Sequence, residues 1–314
     1  MSPKVSINLC CYNSEKYLEE TLQSIFTQTF TDWELVIVND GSTDSTEEII
    51  KRYSRNGRRI VYRYQPNAGL GNARNKATQL SSGEYLAFID HDDLWMPEKL
   101  EAQIKLFEQN PTLGLVYCDG YTIDSLGNLI IQYSSKHPLA RGNIFNQLVR
   151  NSFIPPASAV IKRSVFNEVG PFPAFQTAEE YDLFLKITYQ YPADFVAAPL
   201  FKYRSHEDNF SRRGTRGCLH RETIAIRKYW KDQIPASDIA RARTMKKLLA
   251  LGFASYGTWL LEEGRTDEAR QNLVNSLKLY PFQFRYLHYA LTWFPRSLAN
   301  QVLAWLRRVK TCFA

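Results

Sequence analysis

The sequence predicts an α/β fold: a mostly parallel sheet flanked by helices, followed by an all-α C-terminal extension. Three observations predict it. Between residues 5 and 90, apolar β-rich runs alternate with helically spaced segments, the order of a parallel sheet covered on both faces. The runs carry few polar breaks, as strands buried on both sides do. From about residue 216 onward the pattern is helical throughout. A chain of 314 residues, 44% hydrophobic, can bury one large domain plus an appendage, and we place these at 1–215 and 216–314.

The first strand is "VSINLC" (5–10). A helix follows over "YNSEKYLEETLQSIFTQT" (12–29), because Leu18, Leu22, Ile25 and Phe26 fall on one face. Ser14 is its expected cap, and Glu15 in the first turn suits the helix dipole. "ELVIVND" (34–40), "IVYRYQP" (60–66) and "EYLAFID" (84–90) are the next strands. "GSTDSTEEIIKRYSR" and "LGNARNKATQLSSG" (70–83) are the helices between them. After residue 100 the alternation loosens. A helix closed by Pro111 precedes a hairpin-like pair over "LGLVYCDGYTIDSLGNLI", with "LGN" at its turn. Residues 153–172 hold a strand, a short helix and a Gly-Pro stop. A helix over 177–192 and an extended run from 199 into a polar loop complete the domain.

Composition excludes several classes. Thirty-nine basic against 32 acidic residues leave a net charge of +7, which suits an ordinary basic surface or attraction to phosphates and anionic membranes. No run of five or more Lys/Arg occurs, so nucleic acid is not an expected partner. The five cysteines are odd in number, and Cys10 and Cys11 are adjacent in an apolar run. That argues against a disulfide framework and for a reducing, cytoplasmic compartment. "SPKVSINLC" enters a strand directly, without a leader pattern. No apolar stretch reaches the ~18 residues of a spanning helix.

The fourth strand drops straight into Asp90, His91, Asp92 and Asp93. Three carboxylates within four residues repel one another unless something neutralises them. Ligands of parallel α/β sheets sit beyond the carboxyl ends of the strands. Asp40 ends the second strand as Asp90 ends the fourth, so both acids should meet at one edge. Mg²⁺ or Mn²⁺ bridging a substrate diphosphate would satisfy them. The plainer alternative is that Asp92 or Asp93 caps the helix begun by "MPEKL", with Pro97 near its start.

"VSINLCCYNSEKYLEETLQSIFTQTFTDWELVIVNDGSTDST" and, after it, "NAGLGNARNKATQLSSGEYLAFIDHDDLWMPEKL" resemble family 2 glycosyltransferases with the Rossmann-like GT-A fold. The likeness runs over residues 4 to about 213, with five motifs in order. It implies a nucleotide-sugar donor, a divalent metal and inversion at the anomeric carbon. Position by position, Tyr12 matches a residue packed near the base, and Asp40 the aspartate used against the nucleoside. Asp90 and Asp92 match the Asp-x-Asp pair, with Asp92 the direct metal ligand. His206 in "YRSHEDN" matches a histidine that completes the metal site, and Arg74 in "NARN" a donor-phosphate contact. Glu180 stands where the family has its catalytic aspartate. Two departures stand out. Cys10 replaces the family's usual proline at the nucleotide edge, a change to the turn rather than to the chemistry. "EEYD" replaces the commoner Glu-Asp-x-Asp, which would set the Glu180 carboxylate about 1.5 Å further out. The general base is therefore open among Glu180, Glu179 and Asp182.

These residue types suit glycosyl transfer. An acceptor hydroxyl must lose its proton as it attacks, and a carboxylate within reach can take it. The expected reaction moves a sugar, from a UDP-sugar by preference, to a hydroxyl of a glycan or lipid-linked acceptor in cell-envelope or exported polysaccharide synthesis. Each assignment has an ordinary counterpart. Glu179 and Glu180 could be a solvated helix N-terminus, His206 a surface-loop histidine, and Tyr12 a core aromatic. "GLGNAR" (69–74) lacks the third glycine of a dinucleotide loop. A non-catalytic scaffold of the same fold is the main competing class. A sugar-nucleotide pyrophosphorylase would want a glycine-rich loop where "CCYNSEKY" has no glycine.

In the extension, residues 248–281 resemble one tetratricopeptide-like helix pair, which cannot bury its own face alone. Residues 282–314 mix Trp, Phe and Leu with Arg296, Arg307, Arg308 and Lys310. That suits either a docking helix or a basic amphipathic helix in peripheral contact with the inner face of a membrane.

Overall fold

The computed structural model describes residues 2–54, 59–209, 215–281, 290–293 and 301–302. The chain divides into two compact units, Met1–Asn209 and Phe210–Ala314.

The first unit opens with β1 (Val5–Cys11), α1 (Leu18–Phe26), β2 (Trp33–Asp40), α2 (Thr46–Ser54), β3 (Ile60–Gln65), α3 (Leu70–Leu80) and β4 (Tyr85–Asp90). The four strands pair in the order β3-β2-β1-β4, all parallel, with Cys10 opposite Asp90 and Cys11 opposite Asn39. Both faces of this half are covered, which is why its strands read as unbroken apolar runs. Val5, Ile7, Leu9 and Cys11 pack with Leu18, Leu22 and Ile25 of α1. Cys10, Val36 and Val38 pack on the other side with Ala73 and Ala77 of α3. Each such aliphatic side chain contributes about 1.5–3 kcal/mol by leaving water.

The remaining elements are β5 (Leu94–Trp95), α4 (Lys99–Gln109), β6 (Leu115–Ile123), β7 (Leu129–Gln132), α5 (Phe145–Leu148), β8 (Val160–Lys162), α6 (Arg163–Val169), α7 (Glu179–Gln190) and β9 (Ala193–Arg204). They continue the sheet as β4-β8-β6-β9-β5, with β7 paired to β6, making nine strands among the described residues. This half is mixed: β6 and β9 run parallel, while the β4–β8, β6–β8, β5–β9 and β6–β7 pairs are antiparallel. The expected hairpin over 113–130 is the β6–β7 pair.

One element differs from expectation. The helix read over 12–29 begins only at Leu18, with Tyr17 at its N-cap and no side-chain cap. Ser14 is not the cap. Residues 13–15 are instead tied to the loop before α2: Asn13 N donates to Ser42 Oγ, Ser14 N to Thr46 Oγ1 and Glu15 N to Asp44 Oδ2, at 2.7–3.0 Å. Those bonds take the backbone out of the helix.

The second unit holds α8 (Arg216–Gln233), α9 (Ile239–Glu262) and α10 (Thr266–Leu279). Asp238 caps α9, accepting from Arg241 N at 3.1 Å. Gly257 lets α9 and α10 approach closely, since a Cβ there would stand 2.8 Å from Leu273. Ser276 Oγ donates to Ala250 O across the pair at 2.7 Å. α8 covers the face that the pair cannot bury alone: Ile224 packs with Leu249, Tyr256 and Leu260. Arg296, Arg307, Arg308 and Lys310 lie outside the described residues. Among those described, no helix is long and apolar enough to cross a membrane.

Candidate active site

The site is built at the carboxyl ends of β2 and β4. Two long-range links assemble it. The first is β5, only two residues long, which pairs antiparallel with β9 and brings Asp92 and Asp93 beside Arg204 and His206. The second is Asn75 of α3. Its side chain donates to Phe172 O and accepts from Phe172 N, both at 2.9 Å. That pins the chain entering α7 against α3 and brings Glu179 to Arg74.

The three crowded aspartates each have a separate partner. Asp90 Oδ1 accepts from Arg74 Nη2 at 2.8 Å. Asp92 Oδ2 lies 2.9 Å from His206 Nε2 and 3.4 Å from the amide of Asn209. Asp93 is buried and accepts from Arg204 N at 2.9 Å. Burial, together with Asp92 and Asp90, holds the Asp93 carboxyl well above the usual carboxylate range. A proton held more tightly at Asp93 eases the crowding.

Arg204 is buried and was not singled out from the sequence. Its Nε donates to Asp92 O at 3.0 Å and its Nη2 to Glu20 at 2.7 Å, and the guanidinium stacks over Tyr17 at 4.5 Å. Tyr17 in turn packs 5.0 Å from the His206 ring. Asn209 joins the same cluster, donating to Arg204 O at 3.0 Å. The only sequence signal for either residue is proximity to His206 in "YRSHEDN".

Around Arg74 stand three carboxylates. Glu179 Oε1 accepts from Nη1 at 2.7 Å, Asp90 holds Nη2, and Glu180 Oε2 lies 3.6 Å away. Burial works against the charge on Arg74, but Asp90, Glu179 and Glu180 outweigh it and hold the guanidinium protonated. The sequence reading gave Arg74 to a donor phosphate; here both tips of the guanidinium are committed to carboxylates.

Glu179 and Glu180 share the first turn of α7 but not one environment. Glu179 is buried, and its Oε2 has no hydrogen-bond partner. Burial and the neighbouring Glu180 push its carboxyl up to about 8, against the pull of Arg74. The Glu180 side chain is 25% exposed. Burial raises its affinity for a proton too, with Arg74 opposing. Asp182 accepts instead from Lys186 on the next turn at 2.8 Å.

At the nucleotide edge, Asp40 accepts three hydrogen bonds from within the chain. Its Oδ1 accepts from Gln65 Nε2 and Ala68 N, and its Oδ2 from Gly69 N, at 2.7–2.9 Å. It thereby shapes the loop that starts α3. Tyr12 stands just past β1 with 47% of its surface exposed, an aromatic face free to stack. Cys10 is buried against α3, and burial pushes its thiol up to about 12, so it is a neutral floor under Arg74.

Among the described residues, no three His, Cys, Asp or Glu side chains gather closely enough to hold a metal by themselves. Asp92 and His206 are nonetheless suited to share one ion. Two adjacent ligands of an octahedral ion at about 2.1 Å stand about 3.0 Å apart, close to the 2.9 Å between Asp92 Oδ2 and His206 Nε2. A carboxylate oxygen with an imidazole nitrogen is a donor set for a divalent first-row metal. Asp90, expected as a third ligand, is turned to Arg74.

Known proteins share this architecture. The family profile described as "Glycosyl transferase family 2" matches residues 6–170. An uncharacterized glycosyltransferase of Methanocaldococcus jannaschii is 30% identical over 236 residues, 74% of this chain and 81% of that protein. The Escherichia coli chondroitin synthase is 31% identical over 67% of this chain, which spans only 30% of that relative's length. Among solved structures, S. aureus TarS in complex with UDP-GlcNAc superposes with a TM-score of 0.65 at 20% identity, over 87% of this chain and 79% of that one. The mannosyltransferase PcManGT from Pyrobaculum calidifontis, in complex with GDP-Man and Mn²⁺, gives 0.58 at 18% identity, over 96% and 87%. These two likenesses show the fold, which is GT-A. With the family profile covering more than half of the chain, and the motifs at the strand ends where that profile lies, the chain belongs to glycosyl transferase family 2.

Proposed function

We propose that the protein transfers a sugar, with inversion, from a nucleoside-diphosphate donor to a hydroxyl of a glycan or lipid-linked acceptor. A UDP-sugar is the favoured donor, and cell-envelope or exported polysaccharide synthesis the setting. The observation that carries this reading is the convergence of Glu180, Glu179, Arg74 and Asp90 beside the Asp92–His206 pair. The S. aureus structure in complex with UDP-GlcNAc and the Pyrobaculum structure in complex with GDP-Man and Mn²⁺ support the donor class. The chondroitin synthase relative supports a glycan acceptor.

In this reading Tyr12 stacks on the base, and the loop shaped by Asp40 receives the nucleoside. Asp92 and His206 would hold Mn²⁺ or Mg²⁺, which would supply positive charge against the leaving diphosphate. Glu180, the more accessible acid of the pair, takes the proton from the acceptor hydroxyl as it attacks. Its raised proton affinity makes it a stronger base than a solvated carboxylate. Arg74 keeps Asp90 and Glu179 fixed around that base, and the exclusion of water by Glu179's burial keeps the charges effective.

Titration calorimetry with UDP-GlcNAc and GDP-mannose, in Mn²⁺ and in EDTA, tests the reading. At least one donor should bind with metal and lose affinity in EDTA, and Asp92→Asn should lose the same increment while folding normally. Failure of both nucleotide-sugars to bind in Mn²⁺ overturns the proposal.

A further inference from the structure

An acceptor hydroxyl that gives its proton to Glu180 must be held beside it, and Arg74, Asp90 and Glu179 are spent on one another. Tyr133 is not. It lies in the short helical turn Tyr133–Ser135 that follows β7. Its ring meets that of Phe201 edge-on, with centroids 5.6 Å apart. Phe201 pairs with Trp95 in the β5–β9 link that sets Asp92 and Asp93 in place, so Tyr133 packs on the strands that build the site. Gly120, opposite Phe201 on β6, makes room, because a Cβ there would collide with the Phe201 ring. Burial, joined by Tyr203, Asp93 and Glu180, holds the Tyr133 hydroxyl above the usual phenol range. The group stays a protonated donor within electrostatic reach of the base.

The turn is firmly anchored. Asp119, buried in β6, accepts from Ser134 N at 3.0 Å through Oδ1 and from Gln132 Nε2 at 2.7 Å through Oδ2. One carboxylate thus binds the residues on both sides of Tyr133. His137 N donates to Tyr133 O at 3.1 Å, and the His137 ring stacks on the phenol at 4.4 Å with the planes 22° apart. The ring is fixed, yet its hydroxyl has no hydrogen-bond partner among the described residues. The Tyr117 and Tyr181 hydroxyls, by contrast, bond to the carbonyls of Ala140 and Val149 at 2.8 and 2.9 Å. A half-buried tyrosine ordinarily finds such a partner. One that is locked in place without it, near the base, has a hydrogen bond to give to a ligand.

The pairing selects the ligand. Glu180 accepts a hydrogen bond and Tyr133 donates one, so together they fit a hydroxyl to give and a second oxygen to receive. Neighbouring hydroxyls of a sugar ring are such a pair. A long-chain alcohol has one oxygen and would leave Tyr133 unpaired.

We propose that Tyr133 is an acceptor-binding residue: its hydroxyl donates to one oxygen of an acceptor sugar, whose neighbouring hydroxyl is thereby aimed at Glu180. The inference rests on the reading of Glu180 as the base of a glycosyl transfer. In that step the aimed hydroxyl gives its proton to Glu180 as its oxygen bonds to the anomeric carbon. The bond from that carbon to the diphosphate breaks, and the diphosphate leaves with the electron pair. Tyr133 keeps its own proton throughout and acts by positioning.

The test uses the full chain, Mn²⁺ and whichever of UDP-GlcNAc and GDP-mannose binds in calorimetry. Methyl glycosides of glucose, galactose, mannose, N-acetylglucosamine and N-acetylgalactosamine serve as acceptors, and release of nucleoside diphosphate is the readout. At least one glycoside should speed release beyond transfer to water. For that glycoside Tyr133→Phe, which keeps the ring and its packing, should raise KM by about fivefold or more, the weight of one neutral hydrogen bond. Donor KM, release without acceptor and the melting midpoint should not change. Among monodeoxy forms of the glycoside, one should lose as much in wild type and nothing further in the variant. An unchanged glycoside KM in Tyr133→Phe, or equal discrimination among the deoxy forms by both proteins, would overturn the inference and leave the donor reading in place. So would acceleration by a seryl peptide or a prenyl alcohol and by no glycoside, or by no acceptor at all. Binding of neither donor would remove the glycosyl-transfer reading itself, and this inference with it.

Discussion

Arg74, on α3, and Lys99, at the start of α4, are both long cationic side chains closed off from water. Arg74 is met by Asp90 and Glu179 at 2.7–2.8 Å, with Glu180 at 3.6 Å. Lys99 has the amide oxygen of Gln103 at 2.8 Å and the face of Trp95 at 4.1 Å. The first is held charged; burial pushes the second down to about 8. Gln103 spends its amide donors on Val116 O and Ser158 O, at 3.0 and 2.8 Å, so the Lys99 pair is a strut between α4, β6 and the chain before β8. The lesson is that burial of a cation alone marks nothing. A cation surrounded by more carboxylate than it can neutralise, at the ligand edge of the sheet, marks a site.

The largest effect that would sharpen this contrast is catalytic. Glu180→Gln should lower transfer by about 10²–10⁴ while leaving donor affinity nearly unchanged. Single-turnover rates beside donor titrations would show it. If Glu180→Gln stays active and Glu179→Gln or Asp182→Asn is dead, the base is that neighbour.

Removing the cation comes next. Arg74→Met leaves the Asp90 carboxylate and the protonated, buried Glu179 without their donor and should cost about 1–3 kcal/mol in urea unfolding at neutral pH. A loss under about 1 kcal/mol would show that the cluster tolerates its own repulsion.

The two regions should also respond oppositely to pH. For Glu179 the folded carboxyl is raised to about 8 from its ordinary 4.5, so the native state holds the proton that the unfolded state has released. Its contribution to stability is complete below the unfolded value and is lost as pH rises toward 8. Glu179→Gln should flatten that fall in a series of melts from pH 5 to 8. For Lys99 the folded value is depressed from 10.5 to about 8, so the unfolded state binds more protons in between and stability rises with pH across that window. Lys99→Met should abolish the rise.

The smallest effect is Lys99→Met at pH 7. Relief of the buried charge, set against the orphaned Gln103 oxygen, should leave the variant more stable by about 1–2 kcal/mol. Destabilisation instead would mean that the Lys99–Trp95 contact outweighs the burial penalty.

Much of the fold was legible because its signals are local. Unbroken apolar strands alternating with 3.6-period segments specify a covered parallel sheet, and β1 through β4 lie within a few residues of where periodicity places them. The start of α1 was not legible, because Ser14 followed by Glu15 reads as a cap and first turn, and only the bonds of residues 13–15 to Ser42, Thr46 and Asp44 pull them out. The mixed half of the sheet was hidden for a related reason: β5 and β8 have two and three residues, too short to show a period. Acids at strand ends showed where the site lies. Arg204 and Asn209 were missed, because Arg204 meets the Asp92 carbonyl and the Glu20 carboxylate, and Asn209 the Asp92 carboxylate, each from more than a hundred residues away.

By itself, then, the sequence determined the order of elements, the edge where ligands gather and the residue types waiting there. Tertiary structure decided what those residues are. It buried Asp93 and raised its hold on a proton, tied Asp90 to Arg74, joined Asp92 to His206, and set Glu179 and Glu180, adjacent in the chain, into burial and partial exposure. A carboxyl group's charge depends on the water it loses and the opposite charge it gains, and both are properties of space rather than of sequence.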